Sequence, residues 1–158
     1  MSRSIRFSLN RISAPRVSFV DYLAMCKRLG VDSIEIRNDL PGVEMQDGAA
    51  PATIKAAAAA AGITIRSINA LYPFDIFNAD LESRATAMAK YAAQCGAEAL
   101  VMCPFNSWDD KRTPAERHAD LVKSLKSLRP ILEDNGLLGL VEPLGFQQCS
   151  LRRKSDAV

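Results

Sequence analysis

The sequence is poor in the residues from which several kinds of function are built. It has a single histidine, His118, set inside a helical pattern where a solvated position is the simplest reading. Its four cysteines, Cys26, Cys95, Cys103 and Cys149, lie far apart and form no CxxC pair. Ligand pairs in a structural zinc site normally sit about two to four residues apart, so these read as buried free thiols of a reducing cytosol. No stretch approaches the roughly 18 to 20 consecutive apolar residues of a membrane helix. The opening Met1-Ser2-Arg3-Ser4-Ile5-Arg6 has no apolar signal core, and a cytoplasmic location is expected. Lys and Arg number 20 against 18 acids, for a net charge of +2. That balance creates no field for nucleic acid or a membrane surface, and neither is an expected partner. The densest basic cluster, Arg152-Arg153-Lys154, reads as the solvated first turn of a helix.

What is present is an alternation of strand and helix. The 158 residues, 48% hydrophobic and 24% charged, fit one soluble domain spanning 1–158. Strand patterns at 5–10, 33–38, 63–70, 99–104 and 138–143 alternate with helical patterns at 18–29, 51–61, 81–95 and 114–135. Each helical pattern closes on a glycine, Gly30, Gly62, Gly96 or Gly136, and the next strand follows. Strands recur about every thirty residues, the size of one βαβ unit, which makes the pairing parallel. Start signals agree. Ser18 caps the first helix, Asp80 is the expected cap of the third, and Thr113-Pro114-Ala115-Glu116 is a capping box. Pro130 is expected to kink or divide the fourth helix. The alanine run 56–61 reads as a close-packing helix rather than a linker.

The strand faces carry the functional information. Ile5, Phe7 and Leu9 share one face of the first strand, with Arg6, Ser8 and Asn10 on the other. Ile34 and Ile36 oppose Ser33, Glu35 and Arg37, while Ser67 and Asn69 fall together near the end of the third strand. Helices covering the apolar faces would leave these polar groups in a shared interior, toward the C-terminal strand ends where parallel folds hold ligands. An ordinary alternating sheet with one solvated face is the plainer alternative. Glu142 shares a face with Leu138 and Leu140 and ends an apolar run. A carboxylate buried there needs a partner, either a divalent cation or an arginine.

The run Gly139-Leu140-Val141-Glu142-Pro143-Leu144-Gly145-Phe146, followed by Cys149-Ser150-Leu151-Arg152, resembles the fifth-strand segment of the xylose-isomerase-like TIM-barrel family. The inosose (2-keto-myo-inositol) isomerases and related sugar isomerases and epimerases are the most similar subgroup. Ser33-Ile34-Glu35-Ile36-Arg37-Asn38-Asp39 and Ser67-Ile68-Asn69-Ala70-Leu71-Tyr72-Pro73-Phe74 support the resemblance, which runs from Asn10 to Asp156. It implies an α/β fold of the parallel (β/α)8 type, incomplete, with about five βα units in the order 1-2-3-4-5 and truncation after strand five. It also implies one divalent ion (Mn, Mg, Co or Zn) at the barrel mouth, with Glu142 as first ligand and proton shuttle. The other ligands would come from strands six to eight, which the chain lacks, so it is expected to bind no metal alone and to be inactive. The last residues are expected to enter a fifth helix.

Asn10, Glu35, Arg37, Asn69 and Tyr72 are the candidates for lining a sugar or inositol pocket. Each has two open roles, a substrate contact or a hydrogen bond inside the barrel. Trp108 either stacks on a sugar or covers the core. A lone histidine and the absence of a basic surface argue against an abasic-site endonuclease of the same fold. Two other readings stay open. One is a flavodoxin-like binding or signalling module, with strand order 2-1-3-4-5, although residues 10–18 hold no glycine-rich phosphate cradle. The other is a non-catalytic remnant acting as an interaction protein. Bare edges at strands one and five would drive self-association.

Overall fold

The computed structural model describes residues 7–158. Five strands, β1 (Leu9–Asn10), β2 (Ser33–Arg37), β3 (Thr64–Leu71), β4 (Ala99–Met102) and β5 (Leu138–Val141), form one sheet in the order β1-β2-β3-β4-β5. All four pairings are parallel. This is the partial TIM-barrel arrangement, and sequential order rules out the flavodoxin-like alternative, which needs β1 between β2 and β3. The helices α1 (Phe19–Arg28), α2 (Pro51–Ala61), α3 (Ala79–Cys95) and α4 (Pro114–Asp134) are the crossovers. Among the described residues, no helix is long and apolar enough to cross a membrane.

Alternation along the strands sorts the interior from the helix-covered face. Ile34, Ile36, Ile65, Ile68 and Leu100 are buried in one core with Tyr22, Leu81, Ala85, Ala89 and Leu128 from the helices. Gly62, Gly96 and Gly136 adopt φ of +66°, +82° and +66°, conformations that L side chains rarely take, and so close α2, α3 and α4. Ser18 accepts the Asp21 N–H at 3.1 Å, and Thr113 and Glu116 complete the capping box. All four cysteines are buried with free thiols.

Several expectations need correction. Residues Ile5 and Arg6 lie outside the described residues, and β1 itself is short. Phe7, assigned to the apolar face, is 72% exposed. The third helix starts at Ala79 and is capped by Asn78, whose Oδ1 accepts the Leu81 N–H at 2.8 Å. Asp80 instead sits in the first turn and pairs with Arg84 one turn on, at 2.8 Å. Pro130 does not divide α4, which runs unbroken for 21 residues. No fifth α-helix begins near the end, where only a 3-10 turn, Lys154–Asp156, forms. Of the alanine run, Ala58 is buried and Ala56, Ala59 and Ala60 are exposed, so α2 owes its form more to propensity than to packing.

The cap assignment is testable. Asn78→Ala should lower stability by about 1 kcal/mol in urea unfolding, the usual worth of an N-cap. Asp80→Ala should cost no more than about 0.5 kcal/mol, the scale of an exposed helical ion pair. A larger loss from Asp80→Ala would restore it as the cap.

Candidate functional site

The interior strand positions deliver their polar groups to one open cavity of about 590 Å³. It is lined by Asn10 at the end of β1, Glu35 and Arg37 on β2, Asn69 on β3, and Glu142 directly after β5. Val101, Leu140, Val141, Pro143 and Lys154 complete the wall. That volume falls within the roughly 300 to 1,000 Å³ of small-molecule sites, and its place at the C-terminal strand ends is where barrel enzymes bind ligands. Four of the five expected pocket residues are thus brought together. Tyr72 is not among the lining residues. Its hydroxyl accepts the Asn106 N–H at 3.3 Å and its carbonyl accepts Arg84 at 2.8 Å, at the rim between the β3 and β4 loops. Trp108 is 68% exposed in the β4–α4 loop, so it does not cover the core. His118 is exposed on α4, as the pattern indicated.

Glu35 is held from both sides. Register places it opposite Asn10 on β1 and Ser67 on β3, and each donates to a different carboxylate oxygen at 2.5 Å. Asn10 uses its amide oxygen to accept the Ile12 N–H at 2.9 Å, fixing its amide orientation. Arg37 is gripped by Asp39 through two parallel bonds of 2.8 and 2.6 Å, a bidentate geometry that fixes the guanidinium plane. That hydrogen-bonding carboxylate also raises the Arg37 pKa, against the opposing effect of burial.

Glu142 was expected to be buried, yet it is exposed at the cavity edge. The reason is that β5 lies at the edge of the sheet, with no strand beyond it among the described residues. Glu142 N–H continues the ladder by donating to Met102 O at 3.0 Å. Its Oε2 accepts from Cys103 Sγ at 3.4 Å and Asn69 Nδ2 at 3.5 Å, while Oε1 takes no bond from the described residues. Burial, reinforced by the charge of Glu142, pushes the Cys103 thiol up to about 12, so it stays a neutral donor. Sequence reasoning read Cys103 only as a buried thiol. Its position was legible, because Met102 pairs with Val141 and the next residues on both strands are Cys103 and Glu142. Lys154 was read as a solvated helix turn, and nothing local in the sequence marks it as a cavity residue.

Among the described residues, no three His, Cys, Asp or Glu side chains gather closely enough to hold a metal ion. Catalytic divalent sites normally use three protein ligands, and Glu142 by itself could supply no more than one. The residues present therefore do not fit a bound divalent ion by themselves. The cavity presents amide and guanidinium groups on one side and, on the other, a carboxylate with an oxygen that no described residue engages.

The loops after β3 and β4 are tied to α4 by a partly buried charge network. Arg112 reaches Asp75 at 3.2 Å, Asp110 at 2.9 Å and Asp120 at 3.0 Å, and Arg117 reaches Asp110 at 3.1 Å. Burial alone would raise the Asp110 carboxyl, but hydrogen bonds and charge from Arg112, with Arg117 beside it, hold it below the ordinary range. A carboxyl depressed in the folded state contributes stability above its unfolded pKa and loses that stability as pH falls through the folded value. The urea midpoint should therefore drop as pH is lowered below about 4, the unfolded range of an aspartate. In Asp110→Asn the midpoint should be lower at pH 7 and the acid drop shallower. An acid drop of unchanged size in that variant would assign the loss to other carboxyls.

The match to known proteins is broad. The family model described as xylose isomerase-like TIM barrel matches residues 23–157. Among curated protein sequences none matches significantly. A xylose isomerase domain containing protein from Salmonella typhimurium LT2 is 33% identical and superposes with a TM-score of 0.84, covering 93% of this chain and 52% of that one. The IolI protein, solved with a zinc atom, has the same TM-score at 21% identity, with coverage of 97% and 56%. D-psicose 3-epimerase from Clostridium cellulolyticum H10 gives 0.73 at 14% identity, with coverage of 94% and 55%. At those lower identities the likeness is one of fold. The chain spans about half the length of these solved structures. With the family model matching most of its length, this chain belongs to the xylose isomerase-like TIM-barrel family.

Proposed function

We propose that this chain carries the polyol-binding face and the proton-transfer carboxylate of a sugar or keto-inositol isomerase or epimerase. The observation that supports the reading most directly is the convergence of Asn10, Glu35, Arg37, Asn69 and Glu142 on one cavity. Family membership among isomerases and epimerases adds to it.

In this reading a polyol ketone lies with its hydroxyl and carbonyl oxygens toward Arg37 and Asn69. Glu142 Oε1, which no described residue engages, faces a C–H adjacent to the carbonyl. The C–H bond breaks and its proton passes to Glu142 while the electron pair moves to the carbonyl oxygen, giving an enediol-type intermediate. Donors fixed before the reaction stabilise that developing negative charge. Return of the proton to the former carbonyl carbon, with the hydroxyl proton passing to the former carbonyl oxygen, isomerises the substrate, whereas epimerisation needs a second proton donor on the opposite face of the same carbon. Asn69 and Cys103 hold Oε2, so the proton-carrying oxygen is defined. Metal dependence belongs to this proposal only for a barrel that supplies further ligands beside Glu142. The chain alone is proposed to bind without turnover, as a binding remnant would.

Three results are expected from the purified chain. Saturation-transfer NMR should show contact with 2-keto-myo-inositol or a ketohexose and none with cyclohexanone, and Arg37→Ala should weaken that contact about tenfold, as loss of a charged hydrogen bond does. Equal signals from cyclohexanone would remove the polyol reading. Titration with Mn(II) should show no stoichiometric uptake at micromolar ion, and tight uptake abolished by Glu142→Gln would show that the chain builds a metal site after all. The apolar edge at β5, where Leu138 is 67% exposed, also carries the proposal that the chain self-associates. Sedimentation velocity should find oligomers, and a single monomeric species that melts cooperatively would end that part of the reading.

A further inference from the structure

The segment after Glu142 is fastened at its far end by a buried carboxylate. Asp75 is 1% exposed and accepts donors from three residues on two other stretches of chain. They are Phe105 N–H at 2.7 Å, Ser150 Oγ–H at 2.6 Å and the Arg112 guanidinium at 3.2 Å. Ser150 N–H also donates to Phe105 O at 2.8 Å, beside an antiparallel bridge between Asn106 and Cys149. A buried carboxylate this well supplied resists separation from its donors, since each lost donor leaves an uncompensated charge.

Just beyond Ser150 the chain makes the 3-10 turn that begins at Lys154, and Lys154 lines the Glu142 cavity. The other cation of that cavity's wall among the described residues, Arg37, is already engaged by both oxygens of Asp39. No carboxylate pairs with Lys154 among the described residues. An ammonium group offers three donors and no acceptor, which suits a ligand crowded with hydroxyl and carbonyl oxygens. A lysine on a free loop would spread over many rotamers and positions, and that entropy must be removed before it binds anything well.

We propose that Lys154 is a further substrate-contacting residue of this cavity, donating to an oxygen of the polyol ketone, and that the Asp75–Ser150 hydrogen bond is the latch that keeps its turn in place. The contact rests on the polyol reading of the cavity, whereas the latch does not.

The test combines ligand titration with amide hydrogen exchange on the whole chain. Lys154→Ala should weaken 2-keto-myo-inositol binding about tenfold, the scale of one charge-assisted hydrogen bond, and Lys154→Arg should stay within about threefold of the parent. Ser150→Ala should show the same loss, and the double variant should bind no worse than Lys154→Ala alone, because both act through one group. In Ser150→Ala the amides of residues 146–156 should exchange at least about tenfold faster, with those of β2, β3 and β4 unchanged. Unaltered affinity in Lys154→Ala, or losses that multiply in the double variant, would overturn the contact. Unaltered exchange in Ser150→Ala would overturn the latch. If the parent chain binds no polyol ketone, the proposed function fails and the Lys154 contact with it, while the exchange comparison still decides the latch.

Discussion

The carboxylate of Glu35 is the point where the sheet and the cavity depend on each other. It sits mid-row between Asn10 and Ser67, with one oxygen bonded to each, so three adjacent strands share one charged group. Parallel strands alternate faces with a period of two, and a one-residue slip would carry Glu35 and Arg37 into the helix-covered core while Ile34 and Ile36 went to the interior. An ionised carboxylate surrounded by Tyr22, Leu81 and Leu128 would be far too costly to tolerate. Register, cavity chemistry and helix packing are therefore one constraint seen from three sides. For β1, only two residues long, the Asn10 bond to Glu35 joins the backbone ladder in holding the strand on the sheet.

The polar residues of the wall divide into those already committed and those still available. Glu35 and Arg37 spend their strongest hydrogen-bonding capacity on Asn10, Ser67 and Asp39. Such groups are rigid surroundings more than partners that rearrange around a ligand. Glu142 and Lys154, by contrast, come from the edge strand and the segment after it, and neither the Glu142 Oε1 nor the Lys154 ammonium is engaged by a described residue. The cavity thus joins a wall on β1 to β3 whose polar groups are committed with one beyond β5 whose polar groups are available, and the latter holds the carboxylate that would move a proton.

Much of this was legible in the sequence because the fold is periodic. Four glycines after four helical patterns, alternating Ile34 and Ile36 against Glu35 and Arg37, and a carboxylate after Leu138–Val141 specify sequential parallel strands with their polar ends together. What was not legible depends on the third dimension. Asn78 and Asp80 are both good helix caps on paper, and only backbone geometry shows that Asn78 holds the extended conformation a cap requires. Tyr72 shares the stretch that carries Asn69, yet its hydroxyl turns to Asn106 on a different loop. The burial of Glu142 was misjudged because interior-facing pattern says nothing about whether a neighbouring strand is there to cover it. Lys154 enters the site through a turn whose position is set by Asp75, distant in sequence and buried.

The molecule has one tryptophan, Trp108, and it is largely exposed on the loop between β4 and α4. An indole already 68% exposed changes its solvent contact less on unfolding than a buried one would. Its fluorescence is consequently a poor witness to melting of the sheet. It is well placed, though, to register quenching or a blue shift when something settles on the rim near Asn106, where the β3 and β5 loops meet its own.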